Sequence, residues 1–120
     1  MQRTMSPGEL SRLIVGALED RRGRDIVSLD VTKVTDVTDF MVVVSGTSNR
    51  HVRALVDNVF YSVKHRSVDV MGIEGRDAGE WVLIDLGDVV VHVMQAQTRQ
   101  FYDLERLWGD LGEPGVEEPA

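Results

Sequence analysis

Apolar residues recur at helical spacing close to the N-terminus. Ser6, Pro7 and Glu9 supply an N-cap, a proline at the first helical position and the partner of a capping box, a combination that starts helices. The apolar face of this helix carries Leu10, Leu13, Ile14, Ala17 and Leu18. Gly23 ends the pattern, which therefore predicts an amphipathic helix.

Two stretches with strand patterns follow. Residues 25–31 alternate and place Val27, Leu29 and Val31 on one face. Residues 40–45 read FMVVVS, and such a continuous apolar run predicts a strand that is buried on both faces.

A second amphipathic helix comes next. Residues 46–49, GTSN, break the preceding strand and offer caps for a helix. The apolar positions that follow keep helical spacing and are Val52, Leu55, Val56, Val59, Phe60 and Val63. A third strand is predicted at residues 68–73. Strand, helix and strand in this order predict a right-handed parallel crossover.

Residues 80–94, EWVLIDLGDVVVHVM, predict a hairpin that supplies strands four and five. If Gly87 and Asp88 form a two-residue loop, Leu86 pairs with Val89, and each further pair is set in turn down to 81 with 94. Alternation then separates two faces. The first is wholly apolar and holds Val82, Ile84, Leu86, Val89, Val91 and Val93.

The other face of the hairpin is mixed, and it holds Trp81, Leu83, Asp85, Val90, His92 and Met94. In this register Trp81 and Asp85 are each diagonal neighbours of His92. Two interpretations stay open. Either the face is half-buried under a helix, with Asp85 and His92 satisfying one another, or it is a binding patch, since Trp and Met are enriched in interface cores.

A last helix is predicted from about Thr98 to Trp108, with Phe101, Leu104 and Leu107 as further apolar positions. The elements then run in the order αββαβββα, which predicts an α/β (α+β) domain with a mixed five-stranded sheet covered by helices. We expect the domain to span residues 1–108. Residues 109–120, GDLGEPGVEEPA, are predicted to form a disordered acidic tail.

Composition narrows the range of functions. The chain has 120 residues, 42% of them hydrophobic and 28% charged, as expected for one soluble domain. It has no cysteine, which excludes disulfides and thiolate metal sites. No apolar run is long enough to span a membrane, and the N-terminus lacks the apolar core of a secretory signal. We therefore expect a cytoplasmic protein.

The net charge of -7 disfavours direct binding to nucleic acid, because phosphate binding relies on clustered Lys and Arg. An acidic surface suits a basic protein partner instead.

Candidate catalytic chemistry is sparse. The turn at residues 46–51, GTSNRH, with Arg50 beside it, could cradle a phosphate at a helix N-terminus, but a single glycine also fits an ordinary capped helix. The histidines have no metal-ligand spacing, and no nucleophile–base pair is present. The aspartates show no D-x-D pair on one strand face; those considered are Asp36, Asp39, Asp85 and Asp88. We predict no catalytic residue, no metal and no cofactor.

Three segments carry a family resemblance: SLDV with VTDFMVVVSGTSNRHVRALVDNV, then GIEGRDAGEWVLIDLGDVVVHVM, then TRQFYDLERLW. They resemble the ribosomal silencing factor family, also called Iojap-related proteins, over roughly residues 10–108. A cysteine often follows the T-D pair in that family, where this chain has Phe40, a hydrophobic exchange.

The resemblance implies a non-catalytic protein with a topology like that of nucleotidyltransferases. It implies binding to the large ribosomal subunit through its universal ribosomal protein fourteen, which blocks joining of the small subunit and represses translation when nutrients are scarce. It also allows for a homodimer, and it leaves ribosomal RNA at most a minor contact.

Carried over residue by residue, the resemblance predicts a partner-binding surface of Glu74, Gly75, Trp81, Asp85, Asp88 and His92, with Arg50, His51 and Tyr102 as additional contacts. Two other functions remain open from the residues alone. One is a nucleotide-handling enzyme that uses the turn at residues 46–51, and the other is an adaptor that dimerises through the mixed hairpin face.

Overall fold

Eight elements follow one another in the predicted order. The computed structural model describes residues 5–103 and residue 106. The elements are α1 (Pro7–Asp20), β1 (Arg24–Asp30), β2 (Phe40–Gly46), α2 (Asn49–His65), β3 (Gly72–Glu74), β4 (Trp81–Asp85), β5 (Val89–Gln95) and α3 (Ala96–Tyr102). They confirm the predicted mixed α and β fold.

The five strands form one sheet in the order β1-β2-β5-β4-β3. Only β2 and β5 pair in parallel, and all the other neighbours are antiparallel. It follows that β3 runs in the same direction as β2, as the predicted crossover requires. It does not pair with β2, however, because β5 and β4 lie between them. The hand of the crossover stays a prediction.

The first face of the sheet is covered by α1 and α2. Reciprocal bonds between Ser6 and Glu9 form the predicted capping box of α1, with Glu9 N donating to Ser6 Oγ over 3.1 Å. Ser48 caps α2 by accepting from the backbone amide of His51. The apolar face of α1 packs on β1, β2 and β5, and that of α2 packs on β2, β4 and β5. The large core therefore contains the wholly apolar face of the hairpin, as predicted.

The second face of the sheet carries a smaller core. Its buried members are Val27, Leu29, Val31, Met41, Val43 and Met94. Val34, from the loop before β2, and Trp81 pack against it. Among the described elements only α3 contacts β2 and β5 from this side, and it is a seven-residue helix. The part of this face that keeps some exposure to solvent lies on β3, on β4 and at Val90.

The third strand is shorter than predicted. Residues 68–73 were expected to pair, but β3 covers Gly72–Glu74. The difference begins at the turn that ends α2, which reaches as far as Val68. Ser67 has a left-handed backbone with φ 61°, and the amide of Val68 donates back to the carbonyl of Val63. Val68 still packs on the large core, without a strand partner.

The last helix also differs from the prediction. It begins at Ala96 rather than near Thr98, and it ends at Tyr102. Asp103 ends it in the left-handed conformation, with φ 50° and ψ 51°. The remaining positions of the predicted helix lie outside the described residues, apart from residue 106, and so does the predicted tail at 109–120. The domain boundary at residue 108 stays a prediction.

No helix within the described part of the chain is long and apolar enough to cross a membrane.

Candidate partner-binding surface

The mixed face of the hairpin is the candidate binding surface, and we call its side chains from β4 and β5 the docking face. These are Trp81, Leu83, Asp85, Val90, His92 and Met94. The predicted register is confirmed, with residue 81 opposite 94, 83 opposite 92 and 85 opposite 90. Met94 is buried and His92 is only 7% exposed, whereas the other four are half-buried. Among the described residues, the docking face is thus partly exposed to solvent.

A hydrogen bond joins the two most polar rings of the docking face. The indole Nε1 of Trp81 donates to Nδ1 of His92 over 2.9 Å, and the ring centroids are 5.9 Å apart. Because an indole N–H can only donate, Nδ1 of His92 is the acceptor and the proton of the neutral ring lies on Nε2. Burial lowers the pKa of His92 to about 4, so the ring is neutral at pH 7.

Of the two open interpretations, the one in which Asp85 and His92 satisfy one another does not match the hydrogen bonds of the structure. Asp85 Oδ1 instead accepts from the backbone amide of Gly87 over 2.9 Å and closes the hairpin turn. An aspartate side chain often accepts from the backbone amide two residues later, and this bond requires no contact with the neighbouring strand. His92 has its Nδ1 occupied by Trp81, the other diagonal neighbour.

Aromatic rings from α3 extend the docking face. Tyr102 lies against Trp81, with ring centroids 4.7 Å apart, and Phe101 meets Tyr102 edge-on at 4.9 Å. Phe101 is 79% exposed and Tyr102 is 51% exposed. The structure therefore brings Tyr102 to Trp81, as a shared surface requires. Phe101 was expected on the apolar side of its helix and was not predicted as a site residue.

Carboxylates border the docking face. Glu74 is exposed on β3, where it pairs with Leu83. Asp88 is exposed in the hairpin turn, and its carbonyl accepts from the amides of Asp39 and Phe40. Asp88 thereby joins the hairpin to the loop before β2. The predicted acidic residues of the site thus lie on the same side of the sheet or at its adjacent end.

Gly75 has a conformational role. Its φ is 87°, a backbone conformation that favours glycine, and an added Cβ would lie 2.3 Å from the carbonyl oxygen of Trp81. Only glycine lets the chain turn this close to the start of β4. Gly75 thus shapes the neighbourhood of Trp81, whether or not a partner touches it.

A row of polar residues on α2 secures the loop that follows β3. Asn49, Arg53 and Asp57 are spaced one helical turn apart. Asn49 Nδ2 donates to the carbonyl of Ala78, Arg53 donates to the carbonyl of residue 77, and Asp57 accepts two bonds from Arg76 at 2.8 Å. Sequence reasoning missed this row, although its i, i+4, i+8 spacing was visible.

Arg50 and His51 do not join the docking face. Both belong to α2, which packs on the other face of the sheet. His51 Nδ1 accepts from the amide of Thr47 over 2.9 Å, and its Nε2 donates to the carbonyl of Arg21 over 2.8 Å. His51 therefore links the end of α1 to the turn before α2. Arg50 is exposed in the first turn of α2.

The same contacts bear on the phosphate-binding hypothesis for residues 46–51. The amide of Thr47 is bonded to the ring of His51, and the amide of His51 is bonded to Ser48 Oγ. This is the geometry of a capped helix start. Among the described residues, no group of three or more His, Asp or Glu side chains could hold a metal ion.

Comparison with known proteins decides the family. The model of the family described as "Ribosomal silencing factor during starvation" matches residues 4–119. The chain belongs to the ribosomal silencing factor family. Ribosomal silencing factor RsfS of Chromobacterium violaceum is 50% identical over 101 residues, which cover 84% of this chain and 83% of that protein.

Structural comparison agrees with this family. A crystal structure of a Chromobacterium violaceum protein superimposes with a TM-score of 0.86 and 46% identity, over 97% of this chain and 96% of the other. The mouse protein named "Mitochondrial assembly of ribosomal large subunit protein 1" is 39% identical over 99 residues, which cover 80% of this chain and 43% of that protein. As a ribosomal silencing factor, the chain has the general role of a ribosome-associated regulator of translation.

Proposed function

We propose that this chain binds the large ribosomal subunit through its universal ribosomal protein fourteen. The bound chain blocks association with the small subunit and represses translation under nutrient limitation. The observation that supports this most directly is the half-exposed docking face, which extends through Trp81 to the exposed rings of Tyr102 and Phe101.

The composition of the docking face fits a protein partner. Its centre is apolar, with Leu83 and Val90 half-buried on the same face as Trp81. Tryptophan and tyrosine are enriched among the residues that dominate binding energy at protein interfaces. Carboxylates of Glu74, Asp85 and Asp88 border it. A chain of net charge -7 is complementary to a basic ribosomal protein.

Steric occlusion is a sufficient mechanism. A protein that occupies the joining face of the large subunit prevents the small subunit from reaching that face, and this requires affinity and position but no chemistry. We therefore propose that the chain acts without catalysis or cofactor, in the cytoplasm. The name of the mouse relative, which refers to assembly of the ribosomal large subunit, supports that subunit as the site of action.

Trp81→Ala provides the direct test. We expect binding to purified large subunits to weaken by about 2 kcal/mol, or about thirtyfold, because the half-buried tryptophan that anchors the docking face is lost. Tyr61→Ala is the control, since it removes an aromatic side chain, 61% exposed, from α2 instead of the docking face. Sedimentation of the chain with large subunits measures binding, and circular dichroism checks the fold.

A pull-down with purified universal ribosomal protein fourteen identifies the partner. We expect capture at micromolar concentrations, and we expect that adding the chain to mixed subunits increases the free subunits at the expense of joined ribosomes. If the folded Trp81→Ala variant binds large subunits as well as the Tyr61→Ala control does, the docking face is not the site. Binding without any effect on subunit joining would contradict the steric mechanism.

Self-association is the competing use of the same face. A second copy could cover the exposed rings as well as a ribosomal protein could. Leu83→Glu would then convert a concentration-dependent dimer into a monomer in light scattering. If that variant changes subunit binding while wild-type chain is monomeric at all concentrations, dimerisation through the docking face is ruled out.

A further inference from the structure

We infer that His92 is a positioning residue for Trp81, and that it holds the indole in the orientation that docking requires instead of touching the partner. This inference rests on the proposed function of the docking face. It reassigns His92, which the family resemblance presents as a contact.

Burial argues against direct contact with a partner. His92 is only 7% exposed, and it lies between Val43 on β2 and Leu83 on β4 in the middle of the sheet. A partner that covers Trp81 and Tyr102 therefore reaches very little of the imidazole. Any effect of His92 on binding has to pass through a neighbour.

Trp81 is that neighbour. Its indole has one polar atom, Nε1, which can only donate, and this atom bonds to His92 Nδ1 over 2.9 Å. The ring of Tyr102 lies against the same indole, with a centroid distance of 4.7 Å. Contacts from β5 and from α3 thus meet at Trp81. Loss of the His92 acceptor leaves a half-buried N–H without this partner, and the indole is then free to turn toward water and away from Tyr102.

The bond requires a neutral imidazole with its lone pair on Nδ1. Burial, which lowers the pKa of His92 to about 4, keeps the ring neutral at pH 7. The charged groups on the elements around it are Glu74 on β3 and Asp85 on β4, both on the same face of the sheet, and Arg99 on α3. Asp85 is bonded to the turn amide and Arg99 to Ser45, so both already have partners.

Indole NMR tests the positioning in the isolated chain, without any ribosome. The sequence has two tryptophans, so Trp108→Phe leaves the indole N–H of Trp81 as a single signal. We expect slow solvent exchange of this proton in the Trp108→Phe background and fast exchange once His92→Leu is added. His92→Asn should restore slow exchange, because its side-chain oxygen can take nearly the place of Nδ1. Exchange that is equally fast with and without His92 would overturn the inference.

A double-mutant cycle tests the consequence for docking. We expect His92→Leu to weaken binding to purified large subunits about tenfold in the wild-type background, the usual scale for one unpaired buried donor. In a Trp81→Phe background, which has no indole N–H, the same change should have almost no effect. His92→Asn should keep most of the affinity, which a loss of packing alone would not predict.

The two experiments separate this inference from the proposed function. An equal loss from His92→Leu in both backgrounds would mean that His92 acts on binding by another route, and the inference would be wrong. If wild-type chain fails to bind large subunits, the proposed function fails, and the use of His92 for docking fails with it. The NMR result would then still report whether His92 holds Trp81. Should His92→Leu not fold, His92→Phe takes its place in both experiments, because phenylalanine keeps a ring of similar size but has no acceptor.

Discussion

The two faces of the β4–β5 hairpin come from the same fifteen residues, and yet they meet different surroundings. On the first face, Ile84 and Val91 are 0% exposed under α1 and α2. On the second face, Leu83 and Val90 are half-buried, because only α3 covers this side among the described helices. Alternation divides the side chains of a strand, but the length and position of the covering helices decide which face becomes core.

The two faces also differ in whether they carry polar side chains. The first face of the hairpin has none, whereas the second has a tryptophan, a histidine and an aspartate. Each of these three has a defined partner: Trp81 with His92, and Asp85 with the amide of Gly87. The polar groups of such a surface already have hydrogen-bond partners within the chain. A protein can therefore cover the apolar area of the surface without removing water from an unpaired polar group.

The largest expected effect comes from truncating matched residues on the two faces. Ile84→Ala should lower the free energy of unfolding by about 3 kcal/mol, because it opens a cavity in a closed core. Leu83→Ala should lower it by only about 1 kcal/mol, since part of its side chain already meets solvent. Urea unfolding of both variants measures the difference. Equal losses would show that both faces are buried to the same degree in solution.

A pH series tests the buried histidine of the second face. The folded pKa of His92, about 4, lies below the value of 6.5 expected in the unfolded chain. Between pH 6.5 and pH 4, His92 therefore binds a proton in the unfolded chain but not in the folded chain. The free energy of unfolding has its full value above pH 6.5 and falls as pH drops toward 4. The expected loss is about 2 kcal/mol between pH 6.5 and pH 5, at roughly 1.36 kcal/mol per pH unit.

His92→Asn is the control for that series, because asparagine does not titrate. Urea unfolding at pH 7, 6 and 5 should show a smaller slope for this variant than for the wild-type chain. Identical slopes would mean that His92 is accessible to protons in the folded state.

The smallest expected effect concerns the exposed pair that connects α2 to the loop after β3. The side chains of Arg76 and Asp57 are 43% and 58% exposed, so solvent and salt screen their attraction. Asp57→Ala should lower the free energy of unfolding by about 0.5 kcal/mol at low salt and by less at 1 M salt. It should leave binding to large subunits unchanged. A loss above about 2 kcal/mol would assign this loop a larger share of stability than an exposed pair accounts for.

Several features were predictable because they depend on neighbours along the chain. Capping of α1 requires only Ser6 and Glu9, three positions apart, and the hairpin register requires only a two-residue loop at Gly87. Helical periodicity likewise located the buried face of α2, and a continuous apolar run predicted that β2 is buried on both faces. Each of these rests on local geometry, so the predicted order of elements was confirmed.

Local geometry left the partner of a side chain undecided where two groups compete for it. Asp85 and Trp81 are both diagonal neighbours of His92, and the register alone does not choose between them. His92 accepts from Trp81, because Asp85 has a donor closer along the chain in the turn amide of Gly87. For His51, which the family resemblance gives as an additional contact, the structure adds a partner that no local pattern indicates: the carbonyl of Arg21, thirty residues earlier, accepts from its ring. The site residues carried over from the family resemblance stay proposals.

Sequence alone was enough for the elements, the hairpin register and the separation of an apolar face from a mixed one, since turn chemistry and side-chain alternation act over a few residues. Tertiary structure decided that β5 is inserted between β2 and β4, that α3 ends at Tyr102 against Trp81, and that His92 is an acceptor for the indole. Those features depend on which distant segments pack together. Packing is a property of the whole chain, so no local pattern of residues could specify it.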